Sequence, residues 1–335
     1  MKYYTTSYKN IISIENLLSA YKEFRIGKNK KKDVIEFEFN LMTNLINLHN
    51  DLKSKTYTHN KYINFKINDP KSRDIHKARV RDRVLHHAIY RQLYPFFDTT
   101  FIADSFSCRN NKGTHKALDR FISFTRKESK NYTIQCFVLK CDIRKFFASI
   151  DQETMLQILD KAILDKDIVF LLKNILNSFH TENSLGKGLP LGNLTSQLLV
   201  NIYMNKFDQY IKHTLKVKYY IRYADDFVFI SKDKKYLEDI LDNIRKYLEI
   251  NLKLSLHKDK VFIKTIYSGI DFLGFIHFPK YRILRTATKR RMFKRLNENS
   301  YKENSVTSYI GLLEHGNTFK IKEKIYSNKK FLNDL

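Results

Sequence analysis

The chain has 335 residues, of which 43% are apolar and 14% aromatic; it can bury a core, which excludes a disordered polypeptide. Lysine and arginine number 61 against 35 acidic residues, a net charge of +26, which predicts a polyanionic partner: nucleic acid first, a membrane surface second. Three cysteines without metal-ligand spacing argue against a zinc site. No apolar run approaches the ~20 residues of a membrane span, so we expect a cytoplasmic protein with no membrane partner.

Hydrophobic periodicity predicts helices in the first third of the chain. Apolar residues at steps of three and four predict one amphipathic helix over residues 33–53, with Asp33 as its N-cap. A second helix is predicted over residues 75–97, with a break near Pro95. The lysine-rich run at 28–32 before the first helix is typical of a solvated loop.

From residue 137 onward, short strands mix with helices. The segment Phe137–Asp142 predicts a buried strand, and Tyr219–Ser231 predicts two strands around a tight turn. A further hairpin is predicted from residues 261–265 and 270–275 around Ser268-Gly269. Helices are predicted over 152–177 (as one or two), 192–213 and 234–251. The order lacks regular βαβ alternation, so we expect an α+β fold with helices packed on one face of an antiparallel sheet.

Carboxylates lie at the ends of two of these strands. Asp142 ends one apolar strand, and Asp225-Asp226 occupy a predicted hairpin turn without the glycine that such turns favour. Adjacent carboxylates repel each other, and divalent ions would compensate them. Two Mg²⁺ ions can stabilise the attacking and leaving oxygens of nucleotidyl transfer, and Mg²⁺ prefers oxygen ligands. A solvated surface turn is the alternative interpretation of an isolated Asp-Asp pair.

The surroundings of these carboxylates resemble the reverse transcriptase family. Tyr223-Ala224-Asp225-Asp226 is similar to its Y-x-D-D box, and the segment 142–147 to the box with the first metal-binding aspartate. Segment 187–197 resembles the glycine-containing box, 272–275 the primer-grip turn, and 69–75 with 80–84 the fingers boxes. These motifs follow the family's order over residues 60 to 280.

The resemblance implies a right-hand polymerase with fingers, palm and a short helical thumb. The implied domains are residues 1–135 (N-terminal region and fingers), 136–279 (palm with an interleaved fingers segment) and 280–335 (thumb). Asp142 and Asp225 would bind two Mg²⁺ ions, for which Mn²⁺ can substitute, and Asp226 would be a third, weaker ligand or a structural acid.

The resemblance also implies roles in nucleotide binding. Phe147 would be an aromatic gate against the ribose 2′-hydroxyl, with core packing as the alternative. Lys71 and Arg73 would contact the triphosphate, although the basic stretch 71–83 is also typical of a solvated helix face. Lys258 would neutralise or protonate pyrophosphate. Leu191 and Gly192 would contact the incoming nucleotide.

Template and primer contacts are expected at Tyr223, Gly274, Lys289, Arg290 and Arg291. The last three belong to a predicted basic helix over 280–295, where eight basic residues occur without an acid. Such a helix would follow the nucleic-acid backbone through contacts that do not depend on sequence. The residues after 300 leave room for one or two helices, so no nuclease domain is expected there.

Two departures from the common family pattern favour a subclass. Leu191 replaces the glutamine found in many reverse transcriptases, and the glycine-containing box ends in Ser196-Gln197. Both features resemble the reverse transcriptases of diversity-generating retroelements, which copy RNA with errors at adenines and work with a small helical accessory protein. The implied partners are an RNA template, a DNA or RNA primer, dNTPs and a structured non-coding RNA, in a bacterial or phage setting. A defence-associated enzyme and a maturase-like RNA-binding protein without polymerase activity are the alternatives.

Overall fold

The computed structural model describes residues 2–68, 72–181 and 184–333, with side chains described as far as residue 329. Its α-helices are α1 Tyr8–Ile12, α2 Ile14–Arg25, α3 Lys32–Phe39, α4 Leu41–Lys53, α5 Val80–Asp98, α6 Thr114–Glu128, α7 Phe146–Ser149, α8 Gln152–Ala162, α9 Lys166–Asn177, α10 Leu194–Gln209, α11 Lys234–Leu252, α12 Thr286–Glu298, α13 Glu303–Leu313 and α14 Phe319–Asn333. Its strands are β1 Ile63–Ile67, β2 Arg73–Lys77, β3 Phe137–Asp142, β4 Tyr220–Tyr223, β5 Asp226–Ser231, β6 Phe262–Thr265, β7 Ile270–Phe272, β8 Phe275–His277 and β9 Arg282–Leu284.

The chain forms two compact units, each built from three segments. The first contains Met1–Ala103, Ile143–Lys216 and Ile244–His257, and the second contains Asp104–Asp142, Val217–Asn243 and Lys258–Leu335. Helices and antiparallel sheets coexist, which confirms the α+β class. The predicted division into fingers, palm and thumb stays a prediction.

The first unit is mainly helical. Helix α5 packs against α2 and α10, and buried polar groups tie these elements together. Asn16 donates to the carbonyls of Ile11 (2.8 Å) and Ala88 (3.2 Å). Strands β1 and β2 form a two-stranded antiparallel sheet in which Ile63 pairs with Lys77 and Ile67 with Arg73.

The second unit contains a four-stranded antiparallel sheet with strand order β4-β5-β3-β6. Strand β3 is central because it pairs with β5 on one side and β6 on the other. Helix α6 packs against β4 and β5, and Phe121 and Phe124 join Val138, Ile221 and Val228 in one core cluster. The buried centre of the sheet supports the carboxylates at its end.

The same cluster extends to a second sheet and to the C-terminal helices. Strands β7, β8 and β9 form an antiparallel sheet, and Phe272 and Phe275 are fully buried. Helix α12 contributes Met292 and Leu296 from adjacent turns, 1% and 0% exposed. This apolar stripe directs the basic face of α12 toward solvent.

Several predicted elements were wrong in their bounds or pairing. The helix over 33–53 is two helices separated at Asn40, where φ is −119° and ψ is 41°. Asp33 does not cap it; its carboxylate instead binds Lys77 (2.6 Å) and Arg83 (2.5 Å). The helix expected from residue 75 begins at Val80, because 73–77 are strand β2, and it continues through Pro95.

Other corrections concern the C-terminal third. The predicted hairpin around Ser268-Gly269 does not form, because β6 pairs with β3 whereas β7 pairs with β8. The basic helix expected from residue 280 begins at Thr286, after strand β9. The region 152–177 forms two helices, one of the two predicted outcomes. Within the described part of the chain, no helix combines the length and apolarity needed to cross a bilayer.

Candidate active site

The turn between β4 and β5 carries the paired aspartates. Tyr223 pairs with Asp226 across the hairpin, so Ala224 and Asp225 form a two-residue loop. Ala224 has φ of +56°, a left-handed conformation that costs a residue with a side chain about 1–2 kcal/mol. The turn that presents Asp225 therefore contains a strained residue, Ala224, and needs other contacts to stabilise it.

Strand pairing brings Asp142 to the same end of the sheet. Asp142 is the last residue of β3 and lies directly opposite Asp226 in the antiparallel register of β3 and β5. Directly opposed residues in such a ladder have Cα atoms about 4.5–5.5 Å apart. The structure thus places the predicted first carboxylate beside the predicted Asp-Asp pair.

Asp226 has a pKa far above the ordinary value of an aspartate. Burial raises the pKa of Asp226 to about 7, Lys140 opposes this shift, and Asp142 and Asp225 add to it. The Lys140 ammonium lies 3.3 Å from Asp226 Oδ2. Oδ1 of Asp226 is buried without a hydrogen-bond partner among the described residues, so this oxygen is available to a cation.

A second lysine compensates Asp142. Lys260 donates from Nζ to Asp142 Oδ1 over 2.8 Å. The sequence pointed to Lys258, which begins the same 3-10 turn, Lys258–Lys260. The structure brings Lys260 to the carboxylate, and the role expected of Lys258 stays a prediction. The two differ by two positions in a lysine-rich segment, and sequence spacing alone does not separate them.

The donor set fits hard divalent cations. Three carboxylates supply only oxygen ligands, as Mg²⁺ requires. Two of these carboxylates already have a cationic neighbour, since the ammonium groups of Lys140 and Lys260 lie beside them. No cluster of three or more His, Cys, Asp or Glu side chains arranged to hold a metal occurs among the described residues. Asp142, Asp225 and Asp226 would therefore have to adjust their side chains around the ions.

A buried arginine stabilises the turn, and the sequence did not predict this role. Arg222 is fully buried; its Nη1 donates to the carbonyl of Ala224 (3.2 Å) and its Nη2 to Ser105 Oγ (3.0 Å). Its main chain also bonds with its neighbours: Arg222 N donates to Asp104 O and Phe106 N donates to Arg222 O, both over 3.0 Å. The segment 104–106 is thereby joined to the strand that leads into the aspartate turn.

The predicted template and primer residues of the second unit lie in three places. Tyr223 accepts a hydrogen bond at its hydroxyl from Thr114 Oγ1 (3.1 Å). Gly274 lies in the two-residue turn between β7 and β8 with φ of +89°. Lys289 and Arg290 are exposed on α12, whereas Arg291 is half-buried and donates to Thr288 Oγ1.

Two of the predicted nucleotide-binding residues of the first unit line a cavity of about 890 Å³. Phe147 and Leu191 line it, together with Lys61, Lys66 and Lys145. Arg73 begins strand β2, and Lys71 lies outside the described residues. Aromatic walls and lysines suit a ligand with a base and phosphates.

Strand β2 anchors the loop that carries Leu191 and Gly192. His76 N donates to the carbonyl of Leu191 (3.0 Å), and Asn193 Nδ2 donates to the carbonyl of His76 (2.9 Å). Gly192 has φ of +105°, and a Cβ there would lie 3.0 Å from Ile75 Cγ2. Both the backbone conformation and the close approach of β2 therefore favour glycine.

Comparisons with known proteins agree with this arrangement. Residues 64–277, well over half of the chain, match the family model described as reverse transcriptase (RNA-dependent DNA polymerase). The chain is 27% identical to Protein YkfC of Escherichia coli, over 58% of this chain and 60% of that protein. It is 22% identical to the group II intron-encoded protein LtrA of Lactococcus lactis subsp. cremoris, over 68% and 47% respectively.

A third relative is the putative COX1/OXI3 intron 2 protein of Saccharomyces cerevisiae, 22% identical over 58% of this chain and 29% of that protein. The chain therefore spans less than two thirds of each of these relatives. The family match covers both the β3 carboxylate and the aspartate turn. The chain belongs to the reverse transcriptase (RNA-dependent DNA polymerase) family, and its relatives include group II intron-encoded proteins.

Proposed function

We propose that the chain is an RNA-directed DNA polymerase that synthesises cDNA from an RNA template, a DNA or RNA primer and dNTPs. The observation that carries the proposal is the pairing of Asp142 with Asp226 at the end of the four-stranded sheet, with Asp225 in the adjoining turn. A protein that only bound RNA would gain nothing from crowding carboxylates where phosphates must approach.

Each group in this site has a distinct role in the proposed reaction. Two Mg²⁺ ions, when bound, would stabilise the attacking 3′-oxygen, the charge on phosphorus and the leaving pyrophosphate. Asp142 and Asp225 would hold both ions, and Asp226 would offer Oδ1 as a weaker ligand. Lys140 and Lys260 would limit the repulsion between the carboxylates before the ions bind.

Primer extension tests this proposal. We expect Mg²⁺-dependent DNA synthesis on an RNA template, and a loss of at least about a thousandfold for Asp225→Ala/Asp226→Ala, since a metal contributes several kcal/mol of transition-state stabilisation. Asp160→Ala/Asp239→Ala is the matched control, because both residues are surface acids whose side chains pair with Lys166 and Lys235. No synthesis by the wild type, with RNA binding intact, would contradict the proposal and favour the maturase-like binding protein.

Within this activity, we infer the error-prone enzyme of a diversity-generating retroelement. Leu191 lines the first-unit cavity with an apolar side chain, which cannot hydrogen-bond to an incoming nucleotide as glutamine would. We expect Leu191→Gln to lower the misincorporation frequency opposite template adenines by several-fold, because one added hydrogen bond is worth about 1 kcal/mol.

Sequencing the extension products of both proteins measures this frequency. Leu185→Gln is the control, because Leu185 is a fully exposed leucine (88%) outside the cavity lining. A wild-type error spectrum without enrichment at adenines would contradict the retroelement assignment while leaving the polymerase activity in place.

A further inference from the structure

A second cavity lies wholly within the second unit. It has a volume of about 420 Å³, and its walls come from α6, from the turn between β8 and β9, and from the loop between α13 and α14. This volume falls in the range of small-ligand pockets. None of the described residues assigned above to metal, nucleotide or primer binding lines it.

Hydrogen bonds hold the walls of this cavity in place. Phe278 N donates to the carbonyl of Tyr281 (2.9 Å) and closes the turn between β8 and β9. Asn317 N donates to the carbonyl of Arg282 (2.8 Å), and Arg282 Nε donates to the carbonyl of His315. Gly316 allows this approach, because a Cβ there would lie 3.1 Å from the Phe275 ring and 3.3 Å from the Arg282 carbonyl.

One wall presents an aromatic ring to the cavity. Tyr281 stacks on Phe278 with ring centroids 4.9 Å apart and planes 23° apart. Phe278 in turn packs close to Gly269, where a Cβ would lie 2.9 Å from its ring. Phe278 is therefore held by the β7–β9 sheet, whereas Tyr281 remains 49% exposed. Such a supported ring with an open face is suited to stack on a nucleic-acid base.

The charge at the cavity suits phosphates on either side of that base. Arg126 and Lys280 are exposed lining residues, and neither forms an ion pair with any described residue. Arg282 differs, because it is engaged with Asp119 (3.4 Å). Glu314 is the single acid among the described residues of the lining, and its carboxylate can accept a hydrogen bond from an exocyclic amino group of a base.

We propose that this cavity binds one unpaired nucleotide of an RNA strand, with the base stacked on Tyr281 and the adjoining phosphates near Arg126 and Lys280. Strand β8 separates the turn at 278–281 from the predicted primer-contact turn at Gly274. Three residues of strand span about 10 Å, so the site is distinct from the primer contact. The proposal rests on the proposed function for its ligand, since a reverse transcriptase must hold RNA.

Binding of a short, unstructured, fluorescein-labelled oligoribonucleotide tests the proposal. The full-length protein is first saturated with an unlabelled RNA–DNA duplex, so that the labelled strand reports sites outside the duplex-binding surface. We expect Tyr281→Ala to weaken binding about tenfold, the effect of losing one base–aromatic stack, and Tyr281→Phe to bind like the wild type. Tyr3→Ala is the matched control, since Tyr3 is 48% exposed and belongs to the first unit.

The binding results test the nucleotide site independently of the polymerase activity. Unchanged affinity in Tyr281→Ala, or equal losses in Tyr281→Ala and Tyr281→Phe, would overturn the nucleotide site. Primer extension on a short template should be the same in Tyr281→Ala and the wild type, because Tyr281 touches no catalytic group. Absence of primer extension by the wild type would instead overturn the proposed function.

Discussion

Arg222 is the residue whose environment best explains how the aspartate turn keeps its shape. Its guanidinium binds the carbonyl of Ala224, the residue with φ of +56°. We expect Arg222→Lys to lower kcat at least about tenfold with little change in the KM for dNTP, because one ammonium cannot reproduce the fork of a guanidinium. Steady-state primer extension measures both constants.

Two further variants separate positioning of the turn from general destabilisation. Ser105→Ala removes the hydrogen bond between Ser105 Oγ and Arg222 Nη2 and should lower kcat less than Arg222→Lys does. Ala224→Gly relaxes the left-handed residue, because glycine adopts positive φ without steric cost. If Arg222 acts by holding this residue, Ala224→Gly should restore part of the kcat lost in Arg222→Lys. An equal loss of kcat with and without Ala224→Gly would contradict the positioning role.

At the scale of residues, positions that depend on sequence neighbours were predictable, whereas contacts between distant partners were not. Asp142 and Asp225-Asp226 could be found because each follows or interrupts an apolar strand. Arg222 shows no sign of its role, because its partner Ser105 is 117 positions away. Lys260 is similar, since its partner Asp142 lies 118 positions away.

At the scale of elements, the buried histidine of β8 makes the second unit sensitive to acid. His277 is 1% exposed. Burial, together with the nearby Arg282 guanidinium, lowers the pKa of His277 to about 3. The unfolded chain binds a proton below pH ~6.5 whereas the folded chain does not, so stability falls as pH falls from about 6.5 toward 3.

Replacement of this histidine should remove its share of the acid sensitivity. Between pH 8 and pH 5 the wild type should lose about 2 kcal/mol through this group, and His277→Leu should lose about that much less. Urea unfolding followed at both pH values measures the difference. The exposed His213→Leu serves as the control. An identical pH dependence in His277→Leu and the wild type would show that His277 is not held neutral by the fold.

Whether an element could be predicted depended on how far apart in the sequence its interacting residues lie. Strand β3 and the β4–β5 hairpin were predicted, because their apolar runs and short connection are local signals. Strand β6 pairs with β3 across more than a hundred residues, so its pairing with the nearby segment 270–275 was the wrong local choice. Apolar side chains keep a helical spacing throughout residues 33–53, so the sequence predicts one helix there. The break at Asn40 is seen only in the backbone conformation of the structure.

At the scale of the whole molecule, the charge of +26 predicts binding of nucleic acid that weakens with salt. Helix α12 concentrates this charge, because its buried face holds Met292 and Leu296 and its outer face exposes Lys289 and Arg290. Each phosphate contact contributes about 0.9 to the slope of log affinity against log salt on a duplex. We therefore expect Lys289→Gln/Arg290→Gln to reduce the magnitude of that slope by about 2.

Fluorescence anisotropy with an RNA–DNA duplex at several salt concentrations measures the slope. The control is Lys9→Gln/Lys22→Gln, which removes the same charge from exposed positions of α1 and α2. If the charge of the molecule acts only as a diffuse field, both double variants should change the slope equally. If α12 contacts the backbone, only Lys289→Gln/Arg290→Gln should change it, because counterion release requires a basic group next to the phosphate. The comparison thus decides whether this helix is the duplex-binding surface that its sequence predicts.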